Sequence, residues 1–204
     1  MRYQKVPEET IRRLPRYLRA LLFVHQRGIE SIPSHELGDY LQLNPTQIRK
    51  DLSHFGAFGK RGSGYNVVSL SEKIRNILKL DKPQKTILVG AGRLGTAIAS
   101  FPGFANYGFD ISAIYDNSES RIGKKIGNIA IQDSDQLAEI KDSKIKLAII
   151  ATPPEVAQET ATVLVENGTT GILNLSSCYL KVPKKVKVRT IDLAMELIML
   201  PYYA

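Results

Sequence analysis

The sequence predicts an α/β protein in two parts, a basic helical head and a parallel-sheet body, and three observations carry that reading. Of the 28 Lys+Arg, 15 fall in residues 1–82 against 8 of the 20 Asp+Glu, so +7 of the formal net charge of +8 belongs to the head. Directly behind the apolar run Thr86-Ile87-Leu88-Val89 comes a glycine loop, Gly90-Ala91-Gly92-Arg93-Leu94-Gly95. Beyond it, short apolar runs and helical segments alternate, as they do in a sheet with crossover helices.

With 43% hydrophobic and 24% charged residues, the chain falls in the soluble globular class and is long enough for two modest cores. The longest apolar run, Leu147–Ala151, is far too short to span a bilayer, and no apolar signal stretch follows Met1, so a cytoplasmic protein is expected. The lone Cys178 excludes an intrachain disulfide and reads as a small packed residue, not a redox thiol. His25, His35 and His54 have no partners at metal-ligand spacing, so no metal site is expected.

In the head, Leu18, Leu21, Leu22 and His25 follow helical spacing after Pro15, which suits a first helical turn, and Gly28 supplies a stop. Ile11 and Leu14 add a short preceding turn, with Arg12, Arg13, Arg16 and Arg19 around the junction. After the break Ser31-Ile32-Pro33-Ser34, Ser34 caps a short helix with Leu37, Tyr40 and Leu41 on one face. A tight turn at Leu43 leads to Asn44 as N-cap, Pro45 at the first helical position and Gln47 at the third, a capping box. Ile48, Leu52 and Phe55 turn inward, leaving Thr46, Gln47, Arg49, Lys50, Ser53 and His54 outward. Two short helices, the second presenting amide, hydroxyl and basic groups, match what enters a major groove, although an ordinary surface helix has the same pattern.

The next stretch, Gly56-Ala57-Phe58-Gly59-Lys60-Arg61-Gly62-Ser63-Gly64-Tyr65, has four glycines, which permit a tight hairpin with Lys60 and Arg61 at its tip. A projecting basic tip suits phosphate contact or a narrow minor groove, and with the helix pair it predicts a winged helix-turn-helix. Ser69 to Glu72 forms a second capping box, and Leu70, Ile74, Ile77 and Leu78 carry a linker helix to the polar stretch Asp81-Lys82-Pro83-Gln84. The domains are therefore placed at 1–82, 83–191 and a terminal segment 192–204.

In the body, Thr86–Val89 reads as a buried parallel strand and Arg93–Ser100 as the helix after the loop. Gly90 permits the turn, Gly92 lets backbone approach a pyrophosphate and Gly95 lets helix and strand pack closely. Asp110–Tyr115 is a second strand ending at Asp116, 26 positions after Gly90, where an acid accepts hydrogen bonds from an adenosine ribose. That favours NAD(H) over NADP(H), with Arg121, Lys124 and Lys125 close enough to weaken the preference; a plain strand-end turn residue is the other reading of Asp116. Lys146–Ala151 and Gly171–Leu175 are further strands, joined by a helix over Glu155–Glu166, and Thr152, Asn174 and Ser176 fall at the ligand-binding rim. A Rossmann-like nucleotide-binding domain follows.

The stretches Tyr17-Leu18-Arg19, Gln47-Ile48-Arg49-Lys50-Asp51-Leu52-Ser53, Phe55–Tyr65, Gly92-Arg93-Leu94-Gly95 and Pro102-Gly103-Phe104 closely resemble the Rex family of bacterial redox-sensing repressors along essentially the whole chain. The resemblance implies a homodimer that holds a palindromic double-stranded DNA operator when NAD+ is abundant and leaves it when NADH binds. By motif match, Arg49, Lys50, Lys60 and Arg61 contact DNA. Gly90 to Gly95 and Asp116 hold the dinucleotide, with Phe101 and Thr152 near the nicotinamide. Arg19 and Asp192 match positions used for communication between domains and subunits.

The tail Leu193–Leu200 has one polar residue in eight, so it needs covering, either by its own domain or, as preferred here, by a partner subunit as an exchanged interface helix. The alternative function is an NAD-dependent oxidoreductase or a coenzyme A-binding module, both of which use such a loop. Residues 84–204 are consumed by the nucleotide fold and all three histidines lie in the head, so no catalytic constellation is expected and the chain reads as a non-enzyme.

Overall fold

The computed structural model describes residues 6–59, 64–198 and 200–203. The chain forms two compact units, Met1–Lys82 and Pro83–Ala204.

The head begins with α1 (Glu8–Gln26), followed by β1 (Ser31–Ile32), α2 (Ser34–Leu41), α3 (Pro45–Ser53), β2 (Tyr65–Asn66) and α4 (Val67–Ile77). Pro15 does not start a helix; it sits inside α1, which is continuous from Glu8. Its missing N–H and ring disfavour an interior position by about 3 kcal/mol. Burial of Leu14, Tyr17, Leu18, Leu21 and Val24 on one stripe outweighs this, at roughly 1.5–3 kcal/mol for each large apolar side chain. The stripe closes on Val24, leaving the predicted His25 exposed. Gly28, at φ +75°, ends α1 by donating its N–H to the His25 carbonyl while Ile29 donates to Val24.

Three local expectations shift by a few residues. Pro33, not Ser34, is the N-cap of α2, and Tyr40 points outward, edge-on to Phe23 at 5.9 Å, while Leu37 and Leu41 are buried. Asn44 does cap α3 through Thr46 N–H, but the Gln47 side chain donates to Asp51 and does not close the box. Asn66, which accepts from Ser69 N–H, caps α4 three residues before the predicted box, because β2 delivers the chain there in an extended conformation. The stretch read as a break is β1, paired antiparallel with β2 in the register Ser31↔Asn66 and Ile32↔Tyr65.

The body has one seven-stranded sheet in the order β5-β6-β4-β3-β7-β8-β9. Its strands are β3 (Gln84–Val89), β4 (Phe109–Asp116), β5 (Lys125–Ile126), β6 (Ile129–Asp133), β7 (Leu147–Ile150), β8 (Gly171–Asn174) and β9 (Lys187–Thr190). All neighbours are parallel except the β5–β6 hairpin. The intervening helices are α5 (Arg93–Ala99), α6 (Gly103–Asn106) and α7 (Pro154–Glu166), with a 3-10 segment over Ser134–Ser143. The sequence reading missed β5, β6 and β9. The first two are joined by the two-residue turn Gly127-Asn128, a hairpin signal, whereas edge strand β9 is largely exposed and carries no apolar run.

One sheet face, with Ile87, Val89, Ala148 and Ile150, packs on Ala157, Ala161 and Leu164 of α7 and on Leu137 and Ile140. The other, with Leu88, Ile111, Ile114 and Ile149, is covered by Ile98 and Phe104 from α5 and α6. On that second face an open cavity of about 400 Å³ remains over β7 and β8, lined by Leu147, Ile149 and Leu173 with Lys187 and Arg189 at its rim. The tail forms α8 (Leu193–Ile198) and a 3-10 turn at Leu200–Tyr202, with Leu193, Met195, Leu197, Ile198 and Leu200 all more than half exposed. No helix among the described residues is long and apolar enough to cross a membrane.

Candidate nucleotide cradle and nucleic-acid interface

Strand β3 lies between β4 and β7, so the chain leaves β3 toward one side of the sheet and returns on the other. This switch point opens a crevice at the carboxyl ends of the strands, and the glycine loop occupies it. Each glycine has a separate physical reason. Gly90 has φ +97°, and a Cβ there would lie 2.6 Å from the Ala151 carbonyl oxygen. A Cβ on Gly95 would lie 1.8 Å from the Gly90 carbonyl oxygen. A Cβ on Gly92 would meet nothing within 4 Å, so this residue keeps open a space that protein atoms do not fill. Beyond it, Arg93 and Leu94 are exposed in the first turn of α5, whose amides have no carbonyl within the helix to bond.

Thr152 adjoins this loop, because Ala151 N–H bonds the Val89 carbonyl at 2.8 Å. Its Oγ1 is buried and has no hydrogen-bond partner among the described residues. A buried hydroxyl without a partner costs about 1–3 kcal/mol, so the site fits a ligand that supplies one. Phe101 is 59% exposed and meets Phe104 edge-on at 5.9 Å. Gly103 permits that pose, since a Cβ there would lie 2.1 Å from the Phe101 ring. Gly103 was not singled out from the sequence, although it stands at the centre of Pro102-Gly103-Phe104.

Asp116 is only 4% exposed, and its carboxylate is already engaged. It accepts from Ala91 N–H at 2.6 Å and Ser118 N–H at 2.8 Å, and Arg121 lies 3.2 Å away. Asp116 thus pins the glycine loop and closes the strand-end turn, and Ala91 N–H is spent on it. Asn174 and Ser176 are buried and tie strand ends together: Asn174 donates to the Cys178 carbonyl, and Ser176 donates to the Thr152 carbonyl at 2.6 Å.

In the head, α3 exposes Thr46, Arg49, Lys50 and Ser53, with His54 half-buried at its end. Arg49 donates to Ser34 Oγ at 2.8 Å and Thr46 Oγ1 at 2.9 Å. Gln47 does not belong to the free outer face: it is half-buried, and its amide donates to Asp51 Oδ1 at 2.8 Å. Asp51 is the residue sequence reasoning missed. At 1% exposure it also accepts two bonds from Arg13 and one each from Tyr17 and Thr10, joining α3 to α1. Burial alone would disfavour its charge, but the bonds from Arg13, Tyr17, Gln47 and Thr10 prevail and hold its carboxyl down at about 2. Burial, followed by the bond to Asp51, pushes the Tyr17 phenol up. An acid three residues after the inward-facing Ile48 was the available signal.

Lys60 and Arg61 lie outside the described residues. Gly59 and Gly64 are in backbone contact, since a Cβ on Gly59 would be 2.6 Å from the Gly64 carbonyl oxygen. Arg19 is exposed on α1, and Asp192 accepts from Ala194 N–H at the start of α8. Among the described residues no cluster of His, Cys, Asp or Glu could hold a metal ion.

Residues 5–53 match the family model described as putative DNA-binding protein N-terminus, and residues 81–178 match that of a CoA binding domain. The chain is 44% identical over 198 residues to the redox-sensing transcriptional repressor Rex of Chloroflexus aurantiacus, covering 97% of this chain and 93% of that one. With the Rex of Brevibacillus brevis it shares 42% over 203 residues, 99% and 98% of the two chains. The chain belongs to the Rex family of redox-sensing transcriptional repressors. Among solved structures, the Rex-family repressor RSP in complex with β-NAD+ and operator DNA superposes with a TM-score of 0.91 at 37% identity, covering 98% of this chain and 93% of that one. RSP in complex with β-NADH gives 0.89 at 36%, with 98% and 94% covered. These relatives are repressors, not enzymes, and the Rex family pairs a DNA-binding head with a Rossmann-like body as this chain does.

Proposed function

We propose that this chain, as a homodimer in the cytoplasm, represses transcription by binding a palindromic operator, and that NADH in the cradle releases it whereas NAD+ does not. The observation that carries the cofactor half is the open side of Gly92 in a loop whose Gly90 packs on Thr152, together with the partnerless Thr152 hydroxyl, which suits a ligand that brings both a phosphate and a polar group. Gly90 to Gly95 would receive the pyrophosphate, and Phe101 and Thr152 the nicotinamide end. Asp116 would act chiefly by holding the loop, with Arg121 beside it at the ribose. RSP, solved with β-NADH and separately with β-NAD+ and operator DNA, supports NAD(H) over coenzyme A as the ligand.

For DNA, Thr46, Arg49, Lys50, Ser53 and His54 form the reading face, with Gln47 a positioning residue behind it and Lys60 and Arg61 the phosphate or minor-groove contacts. The exposed Leu193, Met195, Leu197, Ile198 and Leu200 of the tail and the apolar cavity over β7 and β8 support a dimer, since one copy leaves both uncovered. Arg19 and Asp192 would link heads and subunits. The reduced cofactor lacks the positive charge of the oxidised ring, so discrimination arises where that ring meets protein, and a tenfold loss of operator affinity requires about 1.4 kcal/mol of coupling.

Titration of a palindromic duplex by fluorescence anisotropy, with NAD+, NADH and coenzyme A added separately, tests the reading. NADH alone should raise the operator Kd. An equal response to coenzyme A would favour the other ligand, and consumption of NADH with a 2-oxo acid would revive an enzyme.

A further inference from the structure

We propose that Ser34 is a positioning residue for DNA recognition, its hydroxyl aiming the Arg49 guanidinium from outside the recognition helix. The proposal rests on the reading that Arg49 touches DNA, and it adds a residue on α2 that no helix-face pattern selects. Arg49 Nη1 donates to Ser34 Oγ at 2.8 Å and Nη2 donates to Thr46 Oγ1 at 2.9 Å. Each terminal nitrogen carries two hydrogens, so one on each is left for a bidentate partner such as the O6 and N7 edge of guanine or a phosphate. A guanidinium already held at both ends loses less rotamer freedom on binding. A neutral hydroxyl also leaves the full positive charge for the nucleic acid, which a carboxylate at this position would cancel.

Ser34 can do this because its own place is fixed from two sides. Pro33, the N-cap of α2 at φ −68°, is rigid, and Ile32 before it pairs with Tyr65. Gly64 packs on the same peptide: a Cβ there would lie 2.6 Å from the Ile32 carbonyl oxygen and 2.8 Å from Pro33 N. Gly64 therefore packs on the peptide that leads into α2, and the hydroxyl at the start of α2 holds the key cation of α3.

A double-mutant cycle on the full-length protein tests this, reading the ratio of operator to non-specific duplex affinity, which does not depend on the fraction of folded protein. Ser34→Ala should lower the ratio about fivefold, the effect of one lost hydrogen bond, and Ser34→Thr should restore most of it. In an Arg49→Ala background, Ser34→Ala should have no further effect. An unchanged ratio in Ser34→Ala, or the same fivefold loss without Arg49, would overturn the positioning role. Full operator affinity in Arg49→Ala alone would instead overturn the assignment of Arg49 to DNA, and the role of Ser34 with it.

Discussion

The head and the body solve the same problem, holding a functional surface rigid, by opposite means. In the body, the cradle is fixed by backbone against backbone: Gly90 against Ala151, Gly95 against Gly90, and parallel strands that deliver both loops to one crevice. In the head, α3 is fixed by side chains, with Asp51 collecting donors from residues up to 41 positions away. Backbone packing leaves a signature in local sequence, because only glycine fits. Side-chain packing at long range leaves almost none.

The largest effect expected from this contrast is Gly95→Ala. Its Cβ overlaps a backbone carbonyl that cannot rotate away, so dinucleotide binding should be abolished and the body destabilised by about 3 kcal/mol. Isothermal titration with NADH and chemical denaturation would measure both, and retained NADH affinity would break the backbone half of the comparison. In the head, Asp51→Ala should cost about 3 kcal/mol by denaturation and lower operator affinity, because it strands Arg13 and Tyr17 without their acceptor while the cradle still binds NADH.

A smaller effect concerns acid. The Asp51 carboxyl titrates at about 2 in the folded protein, below its ordinary 3.8, so its contribution of roughly 2 kcal/mol is complete above about pH 4 and lost as pH falls toward 2. Comparing Asp51→Asn with the parent protein, the stability gap should be flat from neutral pH to about 4 and narrow below it. A gap that widens in acid would contradict the assigned hydrogen bonds. Smallest in stability is Gly92→Ala, whose Cβ meets open space: the melting temperature should hold while NADH affinity falls about tenfold, and the reverse pattern would show Gly92 to be a packing residue.

The same contrast explains what could be read from sequence. The glycine loop, the strand before it, Asp116 at the end of β4 and the basic outer face of α3 all follow from local spacing or residue type. Pro15 misled because the apolar stripe of α1 overrides a local preference. Gln47 misled because its partner Asp51 competes with the cap it was expected to make. Local composition reads Tyr65 as the end of the wing, and its strand partner Ile32, 33 positions earlier, has no local signal. Asp116 reads from the sequence either as a ribose acceptor or as a strand-end turn residue, and the structure adds one backbone amide on each of its oxygens.

The central claim is that occupancy of the cradle by the reduced cofactor lowers the affinity of the head for its operator. Measuring the operator Kd of the protein at saturating NADH and at saturating NAD+ tests it most directly. The account predicts a Kd at least about tenfold higher with NADH, a coupling of about 1.4 kcal/mol. Equal values with both cofactors bound would contradict it.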